Sequence, residues 1–357
     1  MEQFFCNTKI LTGDAIQAVR ELGAKRLLVV TDPFFRDNGM AARLAEAAPA
    51  GRIFGEVTPD PTVELVARGA AVVREFDPDT VLALGGGSAM DCAKAMVSQG
   101  EKAIRLVAVP TTSGSGSEVT DFAVLTHGTV KYPLVDEALR PQVAILDAGL
   151  LTKLPRSLVA DGGFDVLAHA LEALVATGAG AITDALAKDA FLTAFSLLPA
   201  SFSGDVTVRG RIHSAATMAG IAFSQAGLGL CHGLSHSLGG MFHIPHGRLN
   251  GILLPAVVEH NAPACGGKYA ALARAAGLSA GAERMGVRNL KNALCRLRQQ
   301  LGLPRDLVSA GVDGRQVRHR MEELIRATLA DPCCGTNPAP VTGEDVRRIL
   351  QEVTGRG

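Results

Sequence analysis

The sequence has no tryptophan, and aromatic residues make up only 4% of its 357 positions. Single-strand nucleic-acid surfaces are built from stacked aromatic rings, so that class of protein is unsupported. Net charge is also missing. Lys plus Arg and Asp plus Glu number 35 each, which leaves no bulk attraction for nucleic acid or an anionic membrane. No apolar run reaches the roughly 18 residues that a membrane-spanning helix needs. The opening MEQFFCNTKILTG has neither a basic stretch nor a long apolar stretch, so it does not read as a secretion signal. The seven cysteines are odd in number and scattered, with no CxxC pair. A disulfide framework is therefore not expected, and a reducing cytoplasm is the simplest setting. G-x-G-x-x-G and HExxH are absent too, so neither the usual dinucleotide fingerprint nor a zincin-type hydrolase is indicated.

What is present is globular in character, with 47% hydrophobic and 20% charged residues. The length exceeds what one core usually serves, which predicts two domains. Strand-like and helix-like pieces alternate over the first part. RLLVVT (Arg26 to Thr31), Arg52 to Val57, TVLALG and IRLVAVP read as strands, while Ala41 to Ala48, Val63 to Glu75 and AMDCAKAMV read as helices. This alternation predicts an α/β, doubly wound parallel sheet over residues 1–155. From about Ser157 the periodicity becomes helical in GFDVLAHALEALVAT, ITDALAKDAFLTAFSLL, RIHSAATMAGIAFSQAG and the segments after them, which predicts an all-α domain over residues 156–357. LTKLPRSLVA (Leu151 to Ala160) is the expected junction.

Two glycine-rich turns follow strands. VLALGGGSAMDCAKAM runs from strand to turn to helix start, where glycines admit an anion to unpaired N–H groups. That suits a pyrophosphate at Gly86, Gly87 and Ser88; equally, Ser88 and Asp91 could form an ordinary capping box. PTTSGSGSEVT offers the hydroxyls of Thr111, Thr112, Ser113 and Ser115 at the end of the next strand. Two such turns at neighbouring strand ends favour a ligand, because that edge of an open α/β sheet is where ligands bind. Asp32, just past the first strand, could bond a ribose and repel a 2′-phosphate, or simply turn the chain before Pro33.

Four of the nine histidines fall between Cys231 and Gly247: His232, His236, His243 and His246. His232 and His236 share a helix face by their spacing, and Asp165 and His169 do the same on another helix. By themselves Asp165 and His169 read first as a surface pair. Together with the histidine-rich segment they offer a carboxylate and several imidazoles from separate helices, which is how a helical domain builds a divalent-metal site. Such donors suit Fe(II) or Zn(II), and an open coordination position would permit catalysis. Spacing alone does not say which of the four histidines bind.

GGGSAMDCAK, PTTSGSGSEVT, GFDVLAHALEA and CHGLSHSLGGMFHIPHGRLNGILLP, in this order, resemble the iron-containing (group III) alcohol dehydrogenases over nearly the whole chain. The resemblance implies a doubly wound N-terminal domain that binds NAD(P) and a helical C-terminal domain that binds Fe(II). Matched motif by motif, it implies Asp165, His169, His232 and His246 as metal ligands and His236 as the proton-transferring histidine beside the nicotinamide. Gly86, Gly87, Ser88 and Asp91 would meet the pyrophosphate; Thr111, Thr112 and Ser115 form the second cofactor loop. Lys131, in VKYPLVD, would contact the cofactor, and Asp32 would favour NAD over NADP. Phe122, Phe223 and Leu228 match positions lining the substrate pocket. His243 matches no ligand and would be a pocket-wall or supporting residue. Ser115 replaces the usual threonine but keeps its hydroxyl. Asp60 stands where many members carry asparagine and is given no role.

GMFHIPHGRLNGILLP and KYPLVD are similar to segments of propanol dehydrogenases from diol-degrading pathways, and apolar Phe122 leans toward a plain short aldehyde. The expected activity is NAD(H)-dependent interconversion of short aldehydes and primary alcohols, propanal and 1-propanol first among them, with Fe(II), or Zn(II) in its place. A diol or hydroxyaldehyde such as lactaldehyde is the nearest alternative substrate. A lyase of the dehydroquinate synthase kind is the alternative on the same fold. The expected partner is a small alcohol or aldehyde, with neither nucleic acid nor membrane. The family suggests a homodimer or larger assembly in the cytoplasm, and it leaves a bacterial microcompartment open, though no distinct N-terminal targeting extension stands out.

Overall fold

Unbroken apolar runs make the centre of a parallel sheet, because strands covered on both faces have no polar side to show. The computed structural model describes residues 4–98, 103–128 and 130–355. It divides into two units, Phe5–Leu154 and Pro155 onward. The first unit runs β1 (Lys9–Thr12), α1 (Ala15–Leu22), β2 (Arg26–Thr31), α2 (Pro33–Asp37), α3 (Met40–Ala45), β3 (Ala50–Phe54), α4 (Val63–Phe76), β4 (Thr80–Gly85), α5 (Gly87–Ser98), β5 (Arg105–Pro110), β6 (Phe122–His127), β7 (Val130–Val135) and β8 (Val143–Leu146).

Six strands form one sheet in the order β1-β8-β5-β4-β2-β3, and every pairing in it is parallel. Successive side chains go to opposite faces. Leu28, Val30, Val81, Ala83, Leu106 and Ala108 join one buried cluster with α4 and α5. Leu27, Val29, Leu82, Leu84, Val107 and Val109 join the other with α1 and α3. From β2 the chain goes to β3 on one side, then returns to β4 on the other. The sheet's topological switch point therefore lies between β2 and β4, and the C-terminal ends of these strands are where such a sheet takes a ligand.

The structure agrees with the α/β reading and shifts some of its boundaries. The second strand is Ala50–Phe54 rather than Arg52–Val57, and the helix before it ends at Ala45, not Ala48. Sequence reading passed over β1, which is mostly exposed and carries no clear alternation. It also passed over the β6–β7 hairpin, where Pro133 interrupts the strand signal.

The second unit is helical: α6 (Arg156–Val175), α7 (Ala181–Phe202), α8 (Arg209–Ala226), α9 (Leu230–Phe242), α10 (His246–Ala275), α11 (Glu283–Gln300), α12 (Gly314–His319), α13 (Met321–Ala330) and α14 (Gly343–Thr354). A short 3-10 turn, Pro332–Thr336, follows α13. α10 bends at Cys265, whose backbone leaves helical geometry. α6 is buried almost continuously from Val159 to Val175, its polar Asp161, Asp165, His169 and Glu172 included, so it forms the spine of the unit. α7, α8 and α10 pack directly on it. Among the described residues no helix is long and apolar enough to cross a membrane.

Candidate metal centre and cofactor turns

One face of the buried α6 carries Asp165, His169 and Glu172, spaced at roughly one helical turn. All three are nearly inaccessible to solvent. His232 comes from α9, and His246 is the first residue of α10. The entry of α10 is fixed by a close backbone approach: a Cβ on Gly247 would lie 1.9 Å from the Asp161 carbonyl oxygen of α6. The Asp161 carboxylate also accepts from Arg248 Nε and Nη2 at 3.2 and 3.0 Å. These contacts hold His246 over α6.

The structure brings Asp165, His169, His232 and His246 together, with one donor atom from each within 4.8 Å of all the others. Asp165 Oδ1 stands 3.8 Å from His169 Nδ1, 3.9 Å from His232 Nε2 and 3.4 Å from His246 Nε2. Two observations test whether a cation fits. His169 Nδ1 is buried with no hydrogen-bond partner. In addition, the Asn250 amide nitrogen lies 2.9 Å from Asp165 Oδ1, 3.2 Å from His246 Nε2 and 3.4 Å from His232 Nε2. An amide has two hydrogens to offer, so it cannot satisfy all three acceptors. Lone pairs converging without enough donors fit a divalent ion, and three imidazoles with one carboxylate suit iron or zinc.

The surroundings favour ligand chemistry. Burial, with the His169 and His236 rings nearby, pushes His232 well below its ordinary value and keeps it neutral. Glu172 accepts from His232 Nδ1 at 2.5 Å and from the Cys231 backbone N–H at 2.6 Å. This arrangement leaves His232 Nε2 free to face the cluster, as a carboxylate–histidine–metal relay requires. Burial pushes Glu172 itself up to about 7. His246 is the open side of the cluster, its side chain 37% exposed.

His236 sits one helical turn beyond His232. Its ring stacks on His246 at 5.3 Å, and its Nδ1 pairs with Asp331 Oδ2 at 2.8 Å. It stands beside the four-donor cluster rather than in it. Phe223 stacks on His169 at 4.4 Å, so it walls the cluster. Leu228 is buried in the turn before α9, where its carbonyl accepts from Thr336. His243 is exposed, with φ +55, and ends α9 in the left-handed region, so its backbone caps the helix. Sequence reading missed Glu172, Asn250 and Asp331.

The cofactor candidates gather at the sheet's switch point. Asp32 follows β2, Gly86 follows β4, and Thr111 follows β5. The turns touch: a Cβ on Gly86 would meet Thr112 Oγ1 at 3.2 Å, and one on Gly87 would meet Ser115 Oγ at 3.3 Å. Gly86, Gly87, Ser88, Thr112 and Ser115 are half-buried, whereas Thr111 is buried and donates its backbone N–H to Gly85. Asp32 caps α2 through Phe35 N. Ser88 is the second residue of α5 rather than its N-cap, and Asp91 turns toward the second glycine-rich segment. Its carboxylate accepts from Ser117 Oγ at 2.9 Å and Val124 N at 3.1 Å, so it braces the second turn. Lys94, fully buried, works with it and donates to Ser117 Oγ, Thr120 Oγ1 and the Phe122 carbonyl. Burial lowers this lysine to about 8. Phe122 lies on β6 in the first unit, and its ring is 5.8 Å from the Lys94 ammonium. Lys131 is on β7, but its side chain falls outside the described residues.

A parallel sheet with anion-ready turns at its switch point, joined in one chain to a helical unit with a carboxylate-and-imidazole cluster, defines a metal-assisted, nucleotide-dependent class of protein. Residues 8–148 match the family described as "Iron-containing alcohol dehydrogenase", and residues 159–354 match "Fe-containing alcohol dehydrogenase family, C-terminal". The chain belongs to the iron-containing alcohol dehydrogenase family and is an oxidoreductase. It is 41% identical to the 1-propanol dehydrogenase PduQ of Salmonella typhimurium (strain LT2), over 99% of this chain and 100% of that protein. The iron-containing alcohol dehydrogenase of Thermococcus thioreducens superposes with a TM-score of 0.89 at 32% identity, covering 98% of this chain and 99% of that one. Sulfoacetaldehyde reductase of Bifidobacterium kashiwanohense, solved in complex with NAD+, superposes at 0.89 with 27% identity and full coverage of both.

Proposed function

We propose that the chain is an iron- and NAD(H)-dependent alcohol dehydrogenase that interconverts short aldehydes and primary alcohols, with propanal and 1-propanol as the main pair. The convergence of Asp165, His169, His232 and His246 on under-satisfied lone pairs carries this reading. The likeness to a 1-propanol dehydrogenase supports the substrate, and the NAD+ complex of a structural neighbour supports the cofactor. Iron supplies Lewis-acid polarisation of a carbonyl oxygen, and a nicotinamide supplies hydride to its carbon.

The chain's residues do the rest. Asp165 offsets one positive charge and leaves the cluster cationic enough to favour a developing alkoxide. Glu172 holds the His232 ring so that Nε2 faces inward. Phe223 covers His169 and keeps water from that side. His236, held at Nδ1 by Asp331, presents Nε2 to give or take the alcohol proton. Gly86, Gly87, Ser88, Thr112 and Ser115 receive the pyrophosphate, Asp32 the ribose, and Lys131 a further part of the cofactor. In this reading residues 1–155 bind the cofactor, residues 156–357 bind the metal, and Phe122, Phe223 and Leu228 shape the substrate pocket. Zinc is the alternative ion for the same donors. Family resemblance alone supports a homodimer or larger assembly, a cytoplasmic setting, and microcompartment association.

The test is NADH oxidation with propanal by anaerobically purified, Fe(II)-loaded protein against a chelated control. Metal-dependent turnover is the expected outcome. Absence of turnover with any short aldehyde, despite bound iron and NAD, would discard the dehydrogenase in favour of a lyase. In the same assay His236→Ala should keep its iron while turnover falls by roughly 10²-fold or more, the usual worth of a positioned acid–base group. Loss of iron from that variant would show that the histidine roles are wrongly divided.

A further inference from the structure

Beside the four-donor cluster lies a second convergence of unlike donors. His236 on α9 and Asp331 and Cys333 after α13 each place one donor atom within 4.8 Å of the others. The set is an imidazole, a carboxylate and a thiol, and all three residues are half-buried. Their backbone is held in place. Asp331 caps the 3-10 turn through Cys333 N at 2.9 Å. The segment is fastened to α9 by the Ser237–Thr328 hydroxyl pair at 2.8 Å. Packing is tight as well, since a Cβ on Gly233 of α9 would come within 2.5 Å of Cys334 Sγ. Ligands fixed before the ion arrives bind it with little ordering cost.

We propose that His236, Asp331 and Cys333 form a second metal site that takes a thiophilic divalent ion such as zinc or cadmium, and that an ion held there withdraws His236 from proton transfer. The metal-binding claim stands on the donors alone; the inhibitory claim rests on the role given to His236 above. Three protein donors of N, O and S type with an open position suit a tetrahedral zinc or cadmium ion, and the thiolate selects against magnesium, calcium and manganese. Binding releases the Cys333 thiol proton to solvent. His236 then holds the ion on one ring nitrogen and its single ring proton on the other. Asp331 and the Cys333 thiolate together cancel the ion's two positive charges, so an ion in the neighbouring cluster does not forbid it. With a cation fixed on one ring nitrogen, the imidazole can no longer carry protons in turnover.

The experiment uses full-length, iron-loaded protein under anaerobic conditions, titrated with cadmium chloride. Calorimetry follows binding, ultraviolet absorption follows thiolate-to-cadmium charge transfer, and elemental analysis follows retained iron. The expected result is one equivalent of cadmium bound with a sulfur band and iron unchanged. Cys333→Ser should abolish the band, and Asp331→Asn should weaken binding by at least roughly tenfold. Cys334→Ser should leave the band in place, which excludes the adjacent thiol. If Cys333→Ser fails to fold, His236→Gln serves instead and should weaken cadmium binding by a similar factor. Release of one iron per cadmium bound overturns the proposal by placing cadmium in the four-donor cluster. So does an unchanged sulfur band in Cys333→Ser. Tight cadmium binding without loss of NADH oxidation retains the site and overturns only the inhibition.

Discussion

The two candidate sites are built on opposite principles. The switch-point turns in the sheet unit work through what is left out: at Gly86 and Gly87 the missing side chains let Thr112 and Ser115 close in on the backbone. The cluster in the helical unit works through what is put in: ionisable and imidazole groups projecting from helices, backed by further polar groups at Glu172, Asn250 and Asp331. The first kind of site would suit a large anion, held by shape and weak dipoles. The second would suit a small cation, held by strong directional donors. The first should therefore be damaged chiefly by adding atoms, and the second by removing them.

Gly247→Ala is the sharpest way to break this contrast, because it damages the helical unit by addition. The new Cβ would fall within 1.9 Å of the Asp161 carbonyl, a backbone atom with no rotamer to escape through. The expected destabilisation is about 3 kcal/mol or more. Urea unfolding checks it, and near-native stability would show that the α6–α10 approach is loose. Glu172→Gln comes next. The carboxylate accepts two N–H groups, one on each oxygen. An amide there turns one acceptor into a donor facing a donor. Iron affinity should fall by roughly 10–100-fold, measured by competition with a chromogenic chelator. Unchanged affinity would mean that His232 needs no outer partner. The smallest effect is expected at Asp32→Gly. Glycine is an acceptable N-cap, so α2 should lose only a few tenths of a kcal/mol, on the order of experimental error. NADPH use relative to NADH should rise roughly tenfold, the equivalent of about 1.4 kcal/mol of lifted charge repulsion. Identical cofactor preference would reduce Asp32 to its capping role.

Periodic and crowded signals marked the region of the helical site, while the family resemblance supplied the set of ligands. The spacing of Asp165 and His169, and of His232 and His236, put each pair on one face. The crowding of histidines near residue 240 was hard to explain as satisfied core residues alone. What could not be read was the function of polar residues set in apolar text. Glu172 in HALEALV looks like a residue on an exposed helix face, and only the burial of α6 on all sides reveals a carboxylate committed to His232. Asn250, before ILLP, has the same disguise. Lys94 in MDCAKAM reads as a solvated helix lysine and is fully buried. The sequence also did not show that His243, in the same histidine-rich segment, ends α9 with a left-handed backbone. In the sheet unit β2, β4 and β5 announced themselves by long apolar runs, whereas β1 and the β6–β7 hairpin, exposed or interrupted by proline, and β8, buried but only four residues long, carried no comparable signal.

α6 has one more consequence. Asp165, His169 and Glu172 ride on a helix that the apolar core locks in register, so the binding geometry is laid down when the chain folds, before any ion arrives. Such a seat is finished early and is not choosy. First-row divalent ions that fit one carboxylate and three imidazoles compete for it by their intrinsic order of affinity and by abundance, and iron ranks low in that order. If the cluster is loaded as proposed, metal supply at the time of loading would decide its occupant, and a shortage of iron or a surge of zinc should change the output of a constant amount of protein.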